Sequence, residues 1–275
     1  MNRAIITLLT DFGTKDSYVA QMKGVLLSRC PDCVLVDISH DIPPQNVRAA
    51  SRLLAEAVPR FPRQTVHVAV VDPGVGTDRS ILAVHWADQV LVLPDNGLLT
   101  DLVQKHPLDR AYIVCNQQLF IPHVSPTFHG RDIIAPVAAF LASGGEIGQV
   151  GPAIDDFESL PLLPEATEDS RGGWLCRITA IDHFGNIALS SSQPLRDAVG
   201  SGTALKCAII KDFTTLGLSK SFCLAKSVLS YGHAAAGEWV LLIDSQDRLE
   251  LALVNGSAAD ELGIEANAQI LICPE

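Results

Sequence analysis

The sequence predicts an α/β fold in two parts: an N-terminal, mostly parallel sheet with flanking helices, and a small antiparallel β-barrel toward the C-terminal end. Three observations lead there. Short β-branched runs alternate with helix-period segments across residues 1–151, the pattern of a sheet covered on both faces. Residues 152–172 read as an acidic, proline-rich linker, with Pro152, Pro161 and Pro164 among Asp155, Asp156, Glu158, Glu165, Glu168 and Asp169. Over residues 173–275 the helical period disappears, and short strands separated by Gly, Asn, Asp and Ser turns replace it.

A first strand is expected over residues 5–9, a polar turn over 10–17 and a helix over 18–29, with Asp16 or Ser17 as its candidate cap. Asp11 therefore sits just past a strand end. A second strand over 34–38 runs into a loop stiffened by Pro43 and Pro44, and a helix over 46–58 follows with Val47, Ala50, Leu53, Leu54 and Ala57 on one face. Val68, Ala69, Val70 and Val71 form a run too short for a helix, and Pro73, Gly74 and Gly76 stop it. Asp72 is left at the carboxyl end of a buried strand, the edge where open α/β sheets bind ligands. The loop glycines allow Arg79 to fold back toward that carboxylate; the plainer reading is a turn-capping Asp and a surface Arg. Strands over 81–84 and 90–93 come next, the second closed by Asp95, Asn96 and Gly97, all turn formers. A short helix over 98–104, a strand over 111–114 and an apolar helix over 133–142 complete the first part, with His129 just before that last helix. In the second part, strands are expected over 175–181, 204–210, 239–243, 249–254 and 270–272.

Composition narrows the function. With 275 residues and 48% hydrophobic content there is ample core, while a formal charge of -11 argues against nucleic-acid or anionic-membrane partners. No segment reaches the roughly 18 apolar residues of a membrane span, and the amino terminus runs into a strand rather than a cleavage site, so a cytoplasmic location is expected. Seven cysteines, an odd number set among apolar residues, suit buried reduced thiols, and the Cys30/Cys33 pair has no second C-x-x-C to complete a zinc site. The metal signatures H-x-x-x-H, H-x-D and D-x-D-x-D/N-G are missing, as are the phosphate cradles G-x-x-x-x-G-K-[ST] and G-x-G-x-x-G. A nucleoside without a phosphate chain fits better. In the second part, Phe184 and Asn186 within Asp182-His183-Phe184-Gly185-Asn186 suit a purine, one by stacking and one by donating to and accepting from the adenine edge. The same residues also suit a plain strand-turn-strand corner with Asn186 at positive φ.

Five motifs occur in order: Leu9-Thr10-Asp11-Phe12-Gly13, Val71-Asp72-Pro73-Gly74-Val75-Gly76, Pro94-Asp95-Asn96-Gly97-Leu98-Leu99, Phe128-His129-Gly130-Arg131-Asp132 and Asp182-His183-Phe184-Gly185-Asn186. Together they resemble the S-adenosylmethionine hydroxide adenosyltransferase family, related to the fluorinase and chlorinase enzymes, and the likeness spans essentially the whole chain. It implies an α/β domain, a β-barrel and a homotrimer with active sites between subunits. The implied reaction is S-adenosylmethionine plus water giving adenosine and methionine, with no metal and no cofactor. By that likeness Asp72, Arg79 and His129 hold and activate the water, and Asp11 grips the ribose hydroxyls. Asp16 would meet the methionine end. Phe184 and Asn186 would hold adenine from the neighbouring subunit, with Ser245 and Glu250 as further contacts. Asp72 stands where the halogenating relatives carry Tyr or Gly, Gly130 stands at the fluorinase's halide-site serine, and the fluorinase's long insertion between the strands around Val84 and Val90 is missing. These departures favour water over halide; a halogenase and a non-catalytic adenosine or S-adenosylmethionine binder are the alternatives.

Overall fold

In this computed structural model, which describes residues 3–170, 172–200, 204–212, 217–264 and 268–274, the chain divides into two units, Met1–Leu162 and Leu163–Glu275. The first contains, in chain order, β1 (Ile5–Thr10), α1 (Tyr18–Arg29), β2 (Val34–Ser39), α2 (Val47–Ala57), β3 (Val66–Val70), β4 (Ile81–Trp86), β5 (Gln89–Pro94), α3 (Thr100–Lys105), β6 (Arg110–Ile113), α4 (Ala135–Ala142) and β7 (Ala153–Ile154). Its strands form one sheet in the order β2-β1-β3-β5-β4-β6-β7. The four strands β2, β1, β3 and β5 run parallel, and the pairs from β5 through β7 are antiparallel. The sheet is thus mixed, with a parallel half in which α1 joins β1 to β2 and α2 joins β2 to β3. Between β4 and β5 only Ala87 and Asp88 intervene, both at positive φ (49 and 63), and so short a turn can only reverse the chain.

Alternation along the strands feeds two cores. From β3, Val66, Val68 and Val70 pack with Met22 and Leu26 of α1 and Val137 and Ala138 of α4, while Ala69 and Val71 face the other way toward Ala50 and Leu54 of α2 and Leu102 of α3. Both faces being covered explains why the strand is buried at every position, with His67 its single polar residue. Ser17 precedes α1, but its side chain makes no capping bond and instead accepts from Gln21 Nε2 at 2.9 Å. α2 is capped by Asn46, whose side chain accepts from the Ala49 amide at 3.0 Å. The apolar helix expected over 133–142 is entered through a π-helical turn, Gly130–Ile134, ahead of α4.

The second unit contains β8 (Thr167–Asp169), β9 (Gly173–Ile181), β10 (Ile187–Leu189), α5 (Gln193–Gly200), β11 (Ala204–Asp212), β12 (Gly217–Ser227), β13 (Trp239–Ile243), β14 (Leu249–Leu253), α6 (Ala258–Leu262) and β15 (Gln269–Pro274). Seven strands close into a barrel, β9-β10-β14-β13-β12-β11-β15 and back to β9, with β8 attached outside the ring. Every pair is antiparallel except β12 with β13, which run parallel because residues 228–238 carry the chain back along the wall. Three strands lie outside the expected set. β8 and β10 are three residues each, and β12 opens with Gly-Leu-Ser-Lys-Ser, which reads as a loop. Residues 152–172, expected as a connector, give β7 to one sheet and β8 to the other.

Among the described residues no helix is long and apolar enough to cross a membrane. All seven cysteines are free thiols; Cys115 is exposed rather than buried, and burial beside Cys30 pushes the Cys33 thiol up to about 11.

Candidate active site

The chain leaves β1 for β2 on one side and returns past it to form β3 on the other, so the strand order reverses between β1 and β3. Such a reversal leaves a crevice at the carboxyl ends of the two strands. Thr10 and Val70 are register partners there, which brings Asp11 and Asp72, just beyond them, to the same edge.

Asp72 is tied to Arg79 by a fork. Arg79 Nε lies 3.0 Å from both carboxylate oxygens and Nη2 lies 2.5 Å from Oδ2, and the two side chains are only 5% and 10% exposed. The loop between them needs its glycine at Gly76: φ is +80, and a Cβ there would collide with the Pro126 carbonyl. Asn96 Nδ2 donates to the Val71 carbonyl at 2.9 Å and pins the strand end that carries Asp72. Asn96 does this without adopting the positive φ its turn chemistry allowed; that falls to Gly97 at φ 97.

His129 enters from the opposite side, at the head of the π turn. Its Nδ1 lies 2.9 Å from Arg79 Nη2. A guanidinium can only donate, so Nδ1 is the acceptor and the neutral ring carries its proton on Nε2. Burial, with the Arg79 charge adding to it, holds the imidazole below its ordinary pKa of 6.5, against the opposing pull of Asp72 and Asp132. The turn is held by Asp132, a fully buried carboxylate that accepts from Arg131 Nε at 2.5 Å and from the Ser125 amide at 2.8 Å.

A cavity of about 390 Å³ opens on these groups, and Asp11, Gln45, Asp72 and His129 are among its walls. Asp11 Oδ2 accepts the backbone N–H of Gln45 at 2.7 Å, and Gln45 holds φ 65, unusual for a residue with a side chain. Behind Asp11, Thr10 Oγ1 lies 2.8 Å from His40 Nδ1, His40 Nε2 lies 3.1 Å from Asp37 Oδ1, and the Gly13 amide donates to the His40 carbonyl at 2.8 Å. Three aromatic rings, Phe12, Tyr18 and Phe128, complete one wall. Asp16 is exposed and is not among the residues lining the cavity. Gln45 and Tyr18 carry no motif-level signal. A left-handed Gln in particular is imposed by the fold rather than by its own preference.

In the barrel unit, Asp182 organises the turn that displays Phe184. Its Oδ1 accepts the Phe184 and Asn186 amides at 2.9 and 2.8 Å, and its Oδ2 takes Asn186 Nδ2 at 2.9 Å. Positive φ falls on Gly185 (82) and not on Asn186. A Cβ at Gly185 would strike the Ser257 hydroxyl, and the Ala259 amide donates to the Gly185 carbonyl at 3.0 Å, so α6 backs the turn closely. Phe184 is 73% exposed. Ser245 is exposed beyond β13, whereas Glu250 on β14 is 5% exposed and accepts from the Tyr231 hydroxyl at 2.5 Å. Burial raises the Glu250 carboxyl above its ordinary range, and the Asp244 and Asp182 charges add to that. Tyr231 was not a candidate from sequence. Among the described residues no group of three or more His, Cys, Asp or Glu could hold a metal ion.

An α/β unit with an Asp-Arg-His cluster at its strand-order reversal and a seven-stranded barrel unit define a two-unit α/β-plus-barrel protein. The particular family is given by comparison. Residues 6–151 match the SAM hydroxide adenosyltransferase N-terminal domain and residues 176–271 match its C-terminal domain, so the chain belongs to that family. It is similar to the (R)-S-adenosyl-L-methionine hydrolase of Salinispora tropica, with 36% identity over 94% of each chain, and to that of Thermus thermophilus, with 35% identity over 94% of this chain and 96% of the relative. A fluorinase from Actinopolyspora mzabensis is 32% identical over 91% of each chain. The crystal structure of an uncharacterized conserved protein from Thermotoga maritima superposes with a TM-score of 0.86 at 32% identity, over 98% of this chain and 99% of the other.

Proposed function

We propose that the protein hydrolyses S-adenosylmethionine to adenosine and methionine, by attack of a water at the ribose C5′ and without a metal. One observation carries this reading: Arg79 donates to Asp72 and His129 together, and those two line a cavity that also presents Asp11. Methionine leaves as a neutral thioether, so no general acid is needed. The difficulty is the nucleophile, because bulk water has a pKa of about 15.7 and free hydroxide is scarce at neutral pH. With its proton on Nε2, His129 donates to the water oxygen, and that leaves Asp72 as the group that accepts the water's hydrogen during attack. Arg79 fixes both in place, and the low-dielectric pocket strengthens the attraction between developing hydroxide and sulfonium. Asp11 takes the ribose hydroxyls, Asp16 the methionine end, and Phe184 and Asn186 the adenine, with Ser245 and Glu250 beside them.

The same reading makes the protein a cytoplasmic homotrimer whose sites are completed by a neighbouring subunit. The exposure of Phe184, 73% in the single chain, supports a surface awaiting cover. Sedimentation equilibrium that returned the mass of one chain would overturn the trimer.

The decisive experiment is incubation of metal-stripped protein with S-adenosylmethionine in oxygen-18 water, followed by mass spectrometry. Adenosine labelled at its 5′ oxygen, beside unlabelled methionine, is the expected result, unchanged by added chloride or fluoride. Intact S-adenosylmethionine bound at stoichiometry would favour a binder, and a 5′-halogenated nucleoside would favour a halogenase.

A further inference from the structure

We propose that Phe12, Tyr18 and Phe128 form a cation-reading wall, which makes the site distinguish a positively charged adenosyl sulfonium from a neutral adenosyl thioether. The inference rests on the reading that such a sulfonium is the substrate. The rings meet pairwise, Phe12 with Tyr18 and with Phe128 at 5.7 Å between centroids and Tyr18 with Phe128 at 5.4 Å, tilted or edge-on to one another. All three line the cavity that holds Asp72 and His129, and all three also border a second cavity of about 390 Å³ with Gln21, Ser125 and Arg131. Tyr18, 47% exposed, and Phe12, partly buried, are walls of these open volumes, whereas Phe128 is 8% exposed and also belongs to the core. A ring face carries the negative lobe of its quadrupole and attracts a cation within about 6 Å, more strongly where water is excluded. Phe128 already has the Arg131 guanidinium 4.9 Å from its centroid, so Phe12 and Tyr18 are the rings to vary.

The chemistry gives this wall a direction. As the water oxygen bonds to C5′, the C5′–S bond breaks, its electron pair returns to sulfur, the proton passes to Asp72 and the positive charge disappears. The attraction to the rings disappears with it. The wall holds the substrate and lets go of the thioether product. Because the sulfonium charge is already fading in the transition state, the wall favours the bound substrate over the transition state and acts on affinity rather than on turnover.

The test is the charge preference, the dissociation constant of S-adenosylhomocysteine divided by that of S-adenosylmethionine, measured by calorimetry in an Asp72→Asn background where turnover is slow. Parent protein should prefer the sulfonium. Phe12→Leu with Tyr18→Leu should reduce the preference about tenfold, as expected for two partly exposed ring faces, while adenosine affinity stays within about twofold. Tyr18→Phe should keep it, since the face and not the hydroxyl reads the charge. With Asp72 restored, the double Leu protein should show a raised KM and a kcat somewhat above the parent's, because ground-state binding is what is lost. An unaltered preference in the double variant, its loss in Tyr18→Phe, or its absence in the parent overturns the proposal. Turnover without preference removes the wall alone; preference without turnover removes the hydrolase reading and leaves the wall standing.

Discussion

Arg79 Nη2 reaches Asp72 and His129 together, and a lysine in its place offers one freely rotating ammonium for a task that needs a rigid fork. Arg79→Lys should lower kcat about 100-fold and change KM by less than about threefold, as a misplaced but intact triad would. Steady-state kinetics with S-adenosylmethionine checks it, and a KM effect larger than the kcat effect would make Arg79 a substrate contact instead. The same bond sets the acid limb of the pH profile. Protonation of His129 places a second N–H at Nδ1, facing a donor 2.9 Å away, so the triad opens. Since the ring sits below 6.5, kcat should hold on going down through that pH and fall only at a lower apparent pKa. The sign for stability is the same: the contribution of the neutral ring is whole above 6.5 and is lost as pH falls through the depressed value. Most of this was legible in the chain. Asp72 was placed by a strand that ends in Pro73, Gly74 and Gly76, and the same glycines allowed Arg79 to fold back to it, which is local information. The tautomer of His129 was not, because it depends on a contact between residues 50 positions apart.

At the scale of elements, the π turn Gly130–Ile134 carries His129 on one side and is fastened on the other by Asp132. Asp132→Ala would leave the Ser125 amide without its acceptor and Arg131 without its carboxylate. A loss of about 2–3 kcal/mol is expected in chemical denaturation, with kcat falling as the turn loosens. Full activity in a destabilised variant would mean that Asp132 supports the fold but not His129. Periodicity starts an ordinary helix at residue 133 and leaves 130–132 ahead of it, because a π turn adds only a single residue per turn and the apolar pattern at 133 and 134 runs on into α4. The barrel shows the same limit. β9, β11, β13, β14 and β15 announce themselves by β-branched and aliphatic runs, whereas β10 is only three residues directly after a turn motif and β12 starts with glycine and serine. Strands of that kind are recruited by their neighbours across the ring, and their own sequences favour strand only weakly.

For the whole molecule, His67 sets an acid boundary. It lies fully buried in the sheet between Thr7 Oγ1 and Gln89 Oε1, each 2.8 Å away, and burial pushes it down to about 4. The unfolded chain takes up that proton near 6.5, so roughly 3 kcal/mol of stability is whole above that pH and is lost as pH falls through about 4. Denaturation series across that range should flatten by one proton in His67→Asn; an unchanged slope would place the acid sensitivity elsewhere. In the barrel unit the governing property is stiffness. Because α6 backs Gly185 through Ser257 and the Ala259 amide, and Asp182 holds both flanking amides, Phe184 stands in solvent on a braced stalk. A partner surface or a purine arriving at that ring waits for no segment to fold. Its capture should then rise linearly with concentration in a stopped-flow trace, without the plateau that a loop rearrangement imposes.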